Sequence, residues 1–439
     1  MKFKLIASCL SLCIATTAFS QSFDSKKLDR YLETLESHNK FMGSVAISKN
    51  NQIIYTKTVG FQNIENKTKA DNHTIYSIGS ISKTFTAVLV LKAVEQKKVS
   101  LNTTIDKFFP ELPNAKKITI ENLLNHSSGI GSLTDNADYL SWHTQPKSEK
   151  EILEIITKTG TDFEPNTKSA YSNSNYVLLS YILEHIYKKK YSEILTANII
   201  KPLQLKNTYF GHSQSATNHE AVSYTFSNGW NPHANTHASV PMGAGAIQSN
   251  PTDLVKFSDA LFNGKIISKE SISKMKTLKN NYGLGLFDYS FENHPGIGHD
   301  GAIDGYKSMF TNFENDKISY AITSNATNYK LDLITDIVVK AALGQAYEIP
   351  EFKAINIKPE ELEALTGTYA AEGMPLKITI TRQENTISAQ ATGQSPLPLE
   401  AIDNNIFTFD KAGIQLTFKP ETKGMLLKQS GREIEFKKE

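Results

Sequence analysis

The sequence predicts an α/β unit with a helical region inserted into its sheet, followed by a small all-β barrel or sandwich. Three observations point there. Strand-like runs lie far apart in the chain, at 43–48 and 53–59 and again at 309–313 and 318–323. Between them, about residues 118–265 read as helices joined by polar loops. Beyond residue 360 the pattern changes to short β-like runs, with turn residues recurring every eight to twelve positions.

In chain order, Lys2 and Lys4 precede an apolar stretch at 5–19, and the small residues Ala18 and Ser20 stand three and one positions before Gln21. That is the pattern of a secretory signal peptide over residues 1–20, so the mature protein is expected to be exported, periplasmic or secreted. Ile6-Ala7-Ser8-Cys9 has the small residue before Cys that a lipidation signal uses, but the apolar run ahead of Cys9 is only four residues. A short amphipathic helix follows at about 28–37. The runs 43–48 and 53–59 flank Lys49-Asn50-Asn51-Gln52, a hairpin signal. At 84–96, Phe85, Val88, Leu89, Ala93 and Val94 recur without Gly or Pro, which gives a largely buried helix. The clearest helices of the middle region are 178–186 and 253–261. Strands at 309–313 and 318–323 then lead into a helix at 331–343. A single sheet must therefore join distant parts of the chain around a helical subdomain, and residues 21–350 form one domain. Pro350 and Pro359 frame a stretch of little periodicity, read as a linker at 351–359. The runs 377–382, 386–391, 397–401, 406–409, 414–419, 425–429 and 433–437 build the last domain, 360–439.

Composition excludes several function classes. The 439 residues are 39% apolar and 21% charged, an ordinary globular balance. Both cysteines, Cys9 and Cys13, fall in the expected leader, so the mature chain has no thiol or disulfide and relies on packing. Basic and acidic residues number 47 and 45, and without Lys2 and Lys4 they balance, which leaves no electrostatic footprint for nucleic acid or an anionic membrane. After residue 20 no apolar run approaches the ~18 residues that cross a bilayer. No His-Glu-x-x-His, paired Cys or phosphate-binding Gly loop occurs, so neither a metal nor an organic cofactor is implied. The expected partner is a small-molecule or peptide substrate.

The chemistry begins at Ser80-Ile81-Ser82-Lys83, where the loop Ser77-Ile78-Gly79 enters the 84–96 helix. At i and i+3, a hydroxyl and an amine share one helix face. A serine hydroxyl is a poor nucleophile without a base in hydrogen-bond reach. Lysine serves as that base when burial brings its pKa down from about 10.4 toward neutrality. The helix N-terminus adds backbone N–H groups for a developing oxyanion, with that of Ser80 the obvious donor. Alone, such a pair is common by chance and equally describes a capping Ser beside a solvated Lys.

The surrounding sequence makes it specific. Tyr76-Ser77-Ile78-Gly79-Ser80-Ile81-Ser82-Lys83-Thr84-Phe85-Thr86 resembles the nucleophile segment of the class C β-lactamase and D-Ala-D-Ala carboxypeptidase family, the β-lactamase-related serine hydrolases. Further matches follow in the family's order: Ile118-Thr119-Ile120-Glu121-Asn122-Leu123-Leu124-Asn125-His126-Ser127-Ser128-Gly129, then Tyr171-Ser172-Asn173, Pro202-Leu203, Gly243-Ala244-Gly245, Tyr282-Gly283-Leu284-Gly285 and Gly298-His299-Asp300-Gly301. They span about residues 30 to 345. The resemblance implies a β-lactamase/penicillin-binding-protein-like fold, an antiparallel sheet with flanking helices and an inserted helical subdomain. Less specifically, Leu365-Thr366-Gly367-Thr368-Tyr369 resembles the opening of the lipocalin-like β domains that follow this catalytic unit in some relatives.

Carried over by motif, the resemblance implies Ser80 as acylated nucleophile, Lys83 as the partner that exchanges its proton, and Tyr171 as phenolic base or shuttle, made competent by the ammonium beside it. Asn173 would hold Lys83 or the substrate amide. The third element departs from the familiar Lys-Thr-Gly. Its first place is His299, mostly neutral at pH 7, which weakens recognition of a β-lactam or a terminal carboxylate. Gly301 would let a substrate strand lie against the backbone, and the Ala302 N–H would complete the oxyanion hole. Asp300 receives no role. His126 is read as a packing residue, and His233, His237 and Trp230 as cleft lining. The expected activity is that of an exported, cofactor-free serine hydrolase, a carboxylesterase or D-residue peptidase ahead of a peptidoglycan carboxypeptidase, with β-lactamase last. A non-turnover peptidoglycan or β-lactam sensor is the reading from another class.

Overall fold

Asn50 and Asn51 take positive φ angles of 52° and 63°, the pair of left-handed residues that a two-residue hairpin turn requires and that asparagine tolerates. The turn joins strands Phe41–Lys49 and Gln52–Val59 as an antiparallel pair. These and all later observations come from a computed structural model that describes residues 23–439, apart from 213–218, 228, 353, 354, 356, 384, 385 and 430. The expected leader at 1–20, with Cys9 and Cys13, lies outside the described residues.

The hairpin is one side of a six-stranded antiparallel sheet. Its order is Phe287–Asp288, Ile297–Ile303, Tyr306–Phe313, Ile318–Thr327, Phe41–Lys49, Gln52–Val59. Val45 lies opposite Ile322, so the sheet does join the two distant parts of the chain, as the separated strand runs required. Alternation along Phe41–Lys49 serves two cores. Val45 and Ile47 pack with helices Ser25–Ser37 and Leu331–Leu343 on one face, through Leu28, Leu32, Ile334 and Val338. Ala46 faces the other core, which contains the helical subdomain.

Helix Ser82–Glu95 runs through that second core and is buried nearly all round, its polar first turn included. Phe85 stacks on Phe257 of helix Pro251–Phe262 at 3.8 Å between ring centroids. That helix starts sharply, with Pro251 in its first turn and the Asn250 side chain accepting from the Asp253 N–H. Helix Asn173–Tyr187 packs beside them, burying Tyr176, Val177, Leu179 and Leu183.

The C-terminal region is a nine-stranded sheet around its own core of Ile378, Ile387, Phe407, Leu416, Phe418, Met425 and Phe436. Its two end strands, Leu397–Pro398 and Glu400–Asp403, are successive in the chain, so the sheet is a nearly closed barrel. The sequence read 397–401 as one strand. Instead Pro398, which has no N–H for a ladder, sits on a terminal strand and the run is divided at Leu399. The stretch at 351–359 does not run free between the units: Phe352 packs against the core of the two outer helices, and Ile355 and Ile357 against that of the barrel. From Pro359 the chain is already helical, in Pro359–Leu365.

Candidate active site

Ser80 occupies the 3₁₀ turn Gly79–Ile81 that feeds helix Ser82–Glu95. Gly79 has a φ of 50°, and a Cβ there would lie 2.9 Å from the backbone N of Ala302. Glycine is therefore what lets the turn press against strand Ile297–Ile303. The Ser308 hydroxyl donates to the Ile78 carbonyl at 2.8 Å, and the Ile78 N–H donates to the Ile247 carbonyl at 3.1 Å, so the turn is pinned from both sides.

Lys83 is fully buried, and its Nζ lies 3.0 Å from Ser80 Oγ, 2.8 Å from Asn173 Oδ1 and 2.8 Å from the Ala244 carbonyl. Three acceptors match the three donors of an ammonium. Burial nonetheless disfavours the charge and brings the pKa from 10.5 down to about 7, against the opposing pull of Asp300. The Ala244 carbonyl is delivered by a backbone held on Thr86, whose hydroxyl donates to the Gly243 carbonyl at 2.7 Å. A Cβ on Gly243 would lie 2.5 Å from that same oxygen of Thr86.

The Tyr171 hydroxyl donates to Ser80 Oγ at 2.7 Å, while 36% of the residue stays open to solvent. Lys83 Nζ lies 4.8 Å from its ring centroid. The sequence expectation was a phenol pKa brought down by this ammonium. The opposite holds: burial of the hydroxyl end raises it, the Ser80 hydrogen bond lowers it less, and Asp300 and Tyr282 push it up further. Tyr171 is thus a neutral phenol at rest, and Lys83 is the group that titrates near neutrality.

His299 is 1% exposed and set back from the cleft, its ring edge-on to Phe287 at 4.8 Å. Its Nδ1–H donates to the Asp300 carbonyl at 2.6 Å, which leaves Nε2 with no partner among the described residues. Burial brings the imidazole pKa down to about 4, so the third motif carries no cation at pH 7. Gly301 makes room for the protein itself: a Cβ would lie 2.1 Å from the Ile78 carbonyl oxygen and 2.3 Å from Ser308 Oγ. The smallness that the sequence reading gave to a substrate strand is used by the nucleophile turn. Asp300, half-exposed, accepts from the Tyr289 hydroxyl at 2.7 Å.

A cleft of about 390 Å³ opens beside Ser80. Gly79, Ala302 and Asn173 line it near the nucleophile, Leu133, Tyr139, Leu140 and Val240 give an apolar wall, and His143, His233 and Asp304 give polar edges. Among the described residues no group of three or more His, Cys, Asp or Glu is arranged to hold a metal, and no helix is long and apolar enough to cross a membrane.

A family model described as Beta-lactamase matches residues 28–344. The chain belongs to the β-lactamase family. It is similar to penicillin-binding protein 4* of Bacillus subtilis (strain 168), with 25% identity over 457 residues, 93% of this chain and 98% of that protein. It is also similar to a teichoic acid D-alanine hydrolase of Staphylococcus aureus (strain MRSA252), with 28% identity over 306 residues, 68% of this chain and 73% of that protein. Two solved structures share the fold. The octameric penicillin-binding protein homologue from Pyrococcus abyssi has a TM-score of 0.67 and 24% identity, covering 94% of this chain and 100% of that one. The D-amino acid amidase from Ochrobactrum anthropi SV3 complexed with D-phenylalanine has a TM-score of 0.66 and 24% identity, covering 72% and 98%. The chain is accordingly an enzyme of the β-lactamase-related serine hydrolases.

In this β-lactamase-family chain, Ser80, Lys83, Tyr171 and Asn173 meet in one hydrogen-bonded group, and Ala302 stands against the same turn. His299 and Gly301 lie behind it. His126 does more than pack: its ring stacks on Tyr171 at 4.6 Å between centroids, and its Nδ1 accepts from the Ser172 N–H at 3.1 Å. Its positive φ of 57° and that of Gly129, at 80° three residues on, mark a tight turn, whose signal in the sequence was the run Ser127-Ser128-Gly129. Of the three residues read as cleft lining, only His233 is there. His237 is exposed, and Trp230 packs on Phe226 in a separate cluster with Met42 and Tyr224. Asp304 and Thr134, which do line the cleft, had no motif to announce them.

Proposed function

We propose that this chain is an exported hydrolase that cleaves an ester or amide of a D-amino acid through an acyl-enzyme on Ser80. The observation that carries the reading is Ser80 Oγ held between a titratable buried amine at 3.0 Å and a phenol at 2.7 Å. When Lys83 is neutral, its lone pair accepts the Ser80 proton as Oγ attacks the substrate carbonyl carbon. The oxyanion that forms is held by the backbone N–H groups of Ser80 and Ala302. Collapse breaks the carbonyl bond to the leaving oxygen or nitrogen, which takes the Tyr171 proton, and Lys83 returns a proton to the phenolate. Water then enters along the same path, Lys83 accepts its proton through Tyr171, and Ser80 leaves with that proton restored. Tyr171, with a raised pKa, works as a relay rather than as a standing anion.

Two things support the acyl group named. Relatives of this chain include a teichoic acid D-alanine hydrolase and a D-amino acid amidase. The neutral, recessed His299 leaves no cation where a β-lactam or a terminal carboxylate needs one. The leader pattern at 1–20 supports export to the periplasm or medium. The test is mass spectrometry and release kinetics with a D-alanyl ester, D-alanyl-p-nitroanilide, a D-Ala-D-Ala peptide and a penicillin. Turnover of the first two is expected, abolished in Ser80→Ala. Stoichiometric acylation without release, or turnover that survives Ser80→Ala, would overturn it.

A further inference from the structure

Asp304 is the first residue of the two-residue turn between strand Ile297–Ile303 and strand Tyr306–Phe313, at a φ of 52°. A side chain other than glycine is uncommon in that conformation, and asparagine and aspartate are the ones that tolerate it. Its carboxylate is fixed: Oδ2 accepts from the Thr236 N–H at 2.9 Å and Oδ1 from the Thr236 hydroxyl at 2.7 Å. Thr236 is itself buried and lies 3.0 Å from His143 Nδ1. Each carboxylate oxygen keeps acceptor capacity beyond these bonds, and Asp304 lines the cleft that contains Ser80 and Ala302.

The charges around that cleft are one-sided. Among the described residues Asp304 is the one Asp or Glu on its wall, and no Lys or Arg lines it; His143 and His233 are the other ionisable side chains there besides Tyr139. Lys83 spends its donors on Ser80, Asn173 and Ala244, and His299 is neutral and recessed. A substrate carboxylate finds no counter-charge here, whereas an ammonium finds one. Asp304 follows the oxyanion donor Ala302 by two residues and lines the same cleft, and an α-amino nitrogen sits one carbon beyond the carbonyl under attack. The apolar wall of Leu133, Tyr139, Leu140 and Val240 leaves room for the side chain on that carbon.

We propose that Asp304 recognises the free α-ammonium of an aminoacyl group, so that the enzyme acts on amine-unblocked aminoacyl esters and amides in preference to N-acylated or carboxylate-ended ones. The inference rests on the hydrolase reading above and deepens it. The experiment compares kcat/KM on D-alanyl-p-nitroanilide and N-acetyl-D-alanyl-p-nitroanilide for wild type, Asp304→Asn and Asp304→Glu, with fluorophosphonate labelling of Ser80 as a check on the nucleophile. Wild type is expected to prefer the free amine by about tenfold or more, the scale of one hydrogen bond to a charged group. Asp304→Asn should erase most of that preference and Asp304→Glu should keep part of it. A wild type indifferent to acetylation overturns the inference and leaves the hydrolase reading standing. An Asp304→Asn variant that loses equally on both substrates also overturns it, since Asp304 would then only anchor Thr236. No turnover and no labelling of Ser80 overturns the hydrolase reading and this inference together.

Discussion

Lys83 shows how a residue's environment decides its chemistry. An amine with a pKa of 10.5 is no base at pH 7, and the same amine brought down to about 7 by burial can be one. The sign of the pH dependence follows: kcat/KM should climb between about pH 6 and 8 as Lys83 loses its proton, then level off. Asp300 opposes the shift by favouring the ammonium, so Asp300→Asn should move the midpoint to lower pH. A pH–rate profile on one chromogenic ester checks both. A rate that is flat through pH 7, or a midpoint that moves upward in the variant, would show that Lys83 is not the titrating base. Ser80, Lys83 and Tyr171 were legible because motifs fix their spacing along the chain. The direction of the Tyr171 shift was not, because it depends first on burial of the phenol in the folded site and then on Asp300 and Tyr282, brought in from more than a hundred residues away. Asp300 itself, set aside in the sequence, turns out to speak electrostatically to both Lys83 and Tyr171.

Strand Ile297–Ile303 carries the third motif, yet in this part of the chain the sequence marked strands only at 309–313 and 318–323. Gly298, Asp300 and Gly301 have poor strand propensity, and what holds them extended is pairing with Tyr306–Phe313, joined at Gly298 by Phe287 on the other side. Tertiary contact overrides local preference there, and the glycines are needed for another reason. Gly301→Ala would drive a Cβ to 2.1 Å from the Ile78 carbonyl oxygen, a backbone atom that cannot swing aside. Either the strand or the nucleophile turn must shift, and each move separates Ala302 N–H from Ser80. Overpacking of this kind costs about 1–3 kcal/mol, and a misplacement near 1 Å lowers the rate by about a hundredfold. Gly301→Ala should therefore lower the Tm and reduce kcat/KM on any substrate by about that factor, measured by calorimetry and steady-state kinetics. A variant with wild-type kinetics would show that the turn and strand are not rigidly packed. The hairpin at Asn50-Asn51 and helix Leu331–Leu343 were readable in advance because turn chemistry and apolar period alone determine them.

The largest unit of organisation, the seating of the barrel on the hydrolase unit, had no signal in the sequence, because its key residue looks ordinary. Lys40 stands at the start of the first strand and is only 3% exposed. It pairs with Glu400 and, at 2.9 Å, with Asp410, both from the barrel, while Asn328 donates to Glu400 at 2.8 Å. One lysine from the hydrolase unit thus bridges two carboxylates of the other unit. Removing a partner from a fully buried pair costs about 3–5 kcal/mol. Glu400 keeps 44% of its side chain exposed, so solvent recovers part of that and about 1–3 kcal/mol is the fitting scale. Because each unit has its own apolar core, the loss should fall on their coupling rather than on either core. Lys40→Met is therefore expected to split one calorimetric unfolding transition into two. Ser80 labelling should persist below the first transition. Reversing the pair, with Lys40→Glu and Glu400→Lys together, should restore part of the coupling that either change alone removes. If Lys40→Met unfolds in a single transition at the wild-type temperature, the barrel is held by contacts other than this ion pair.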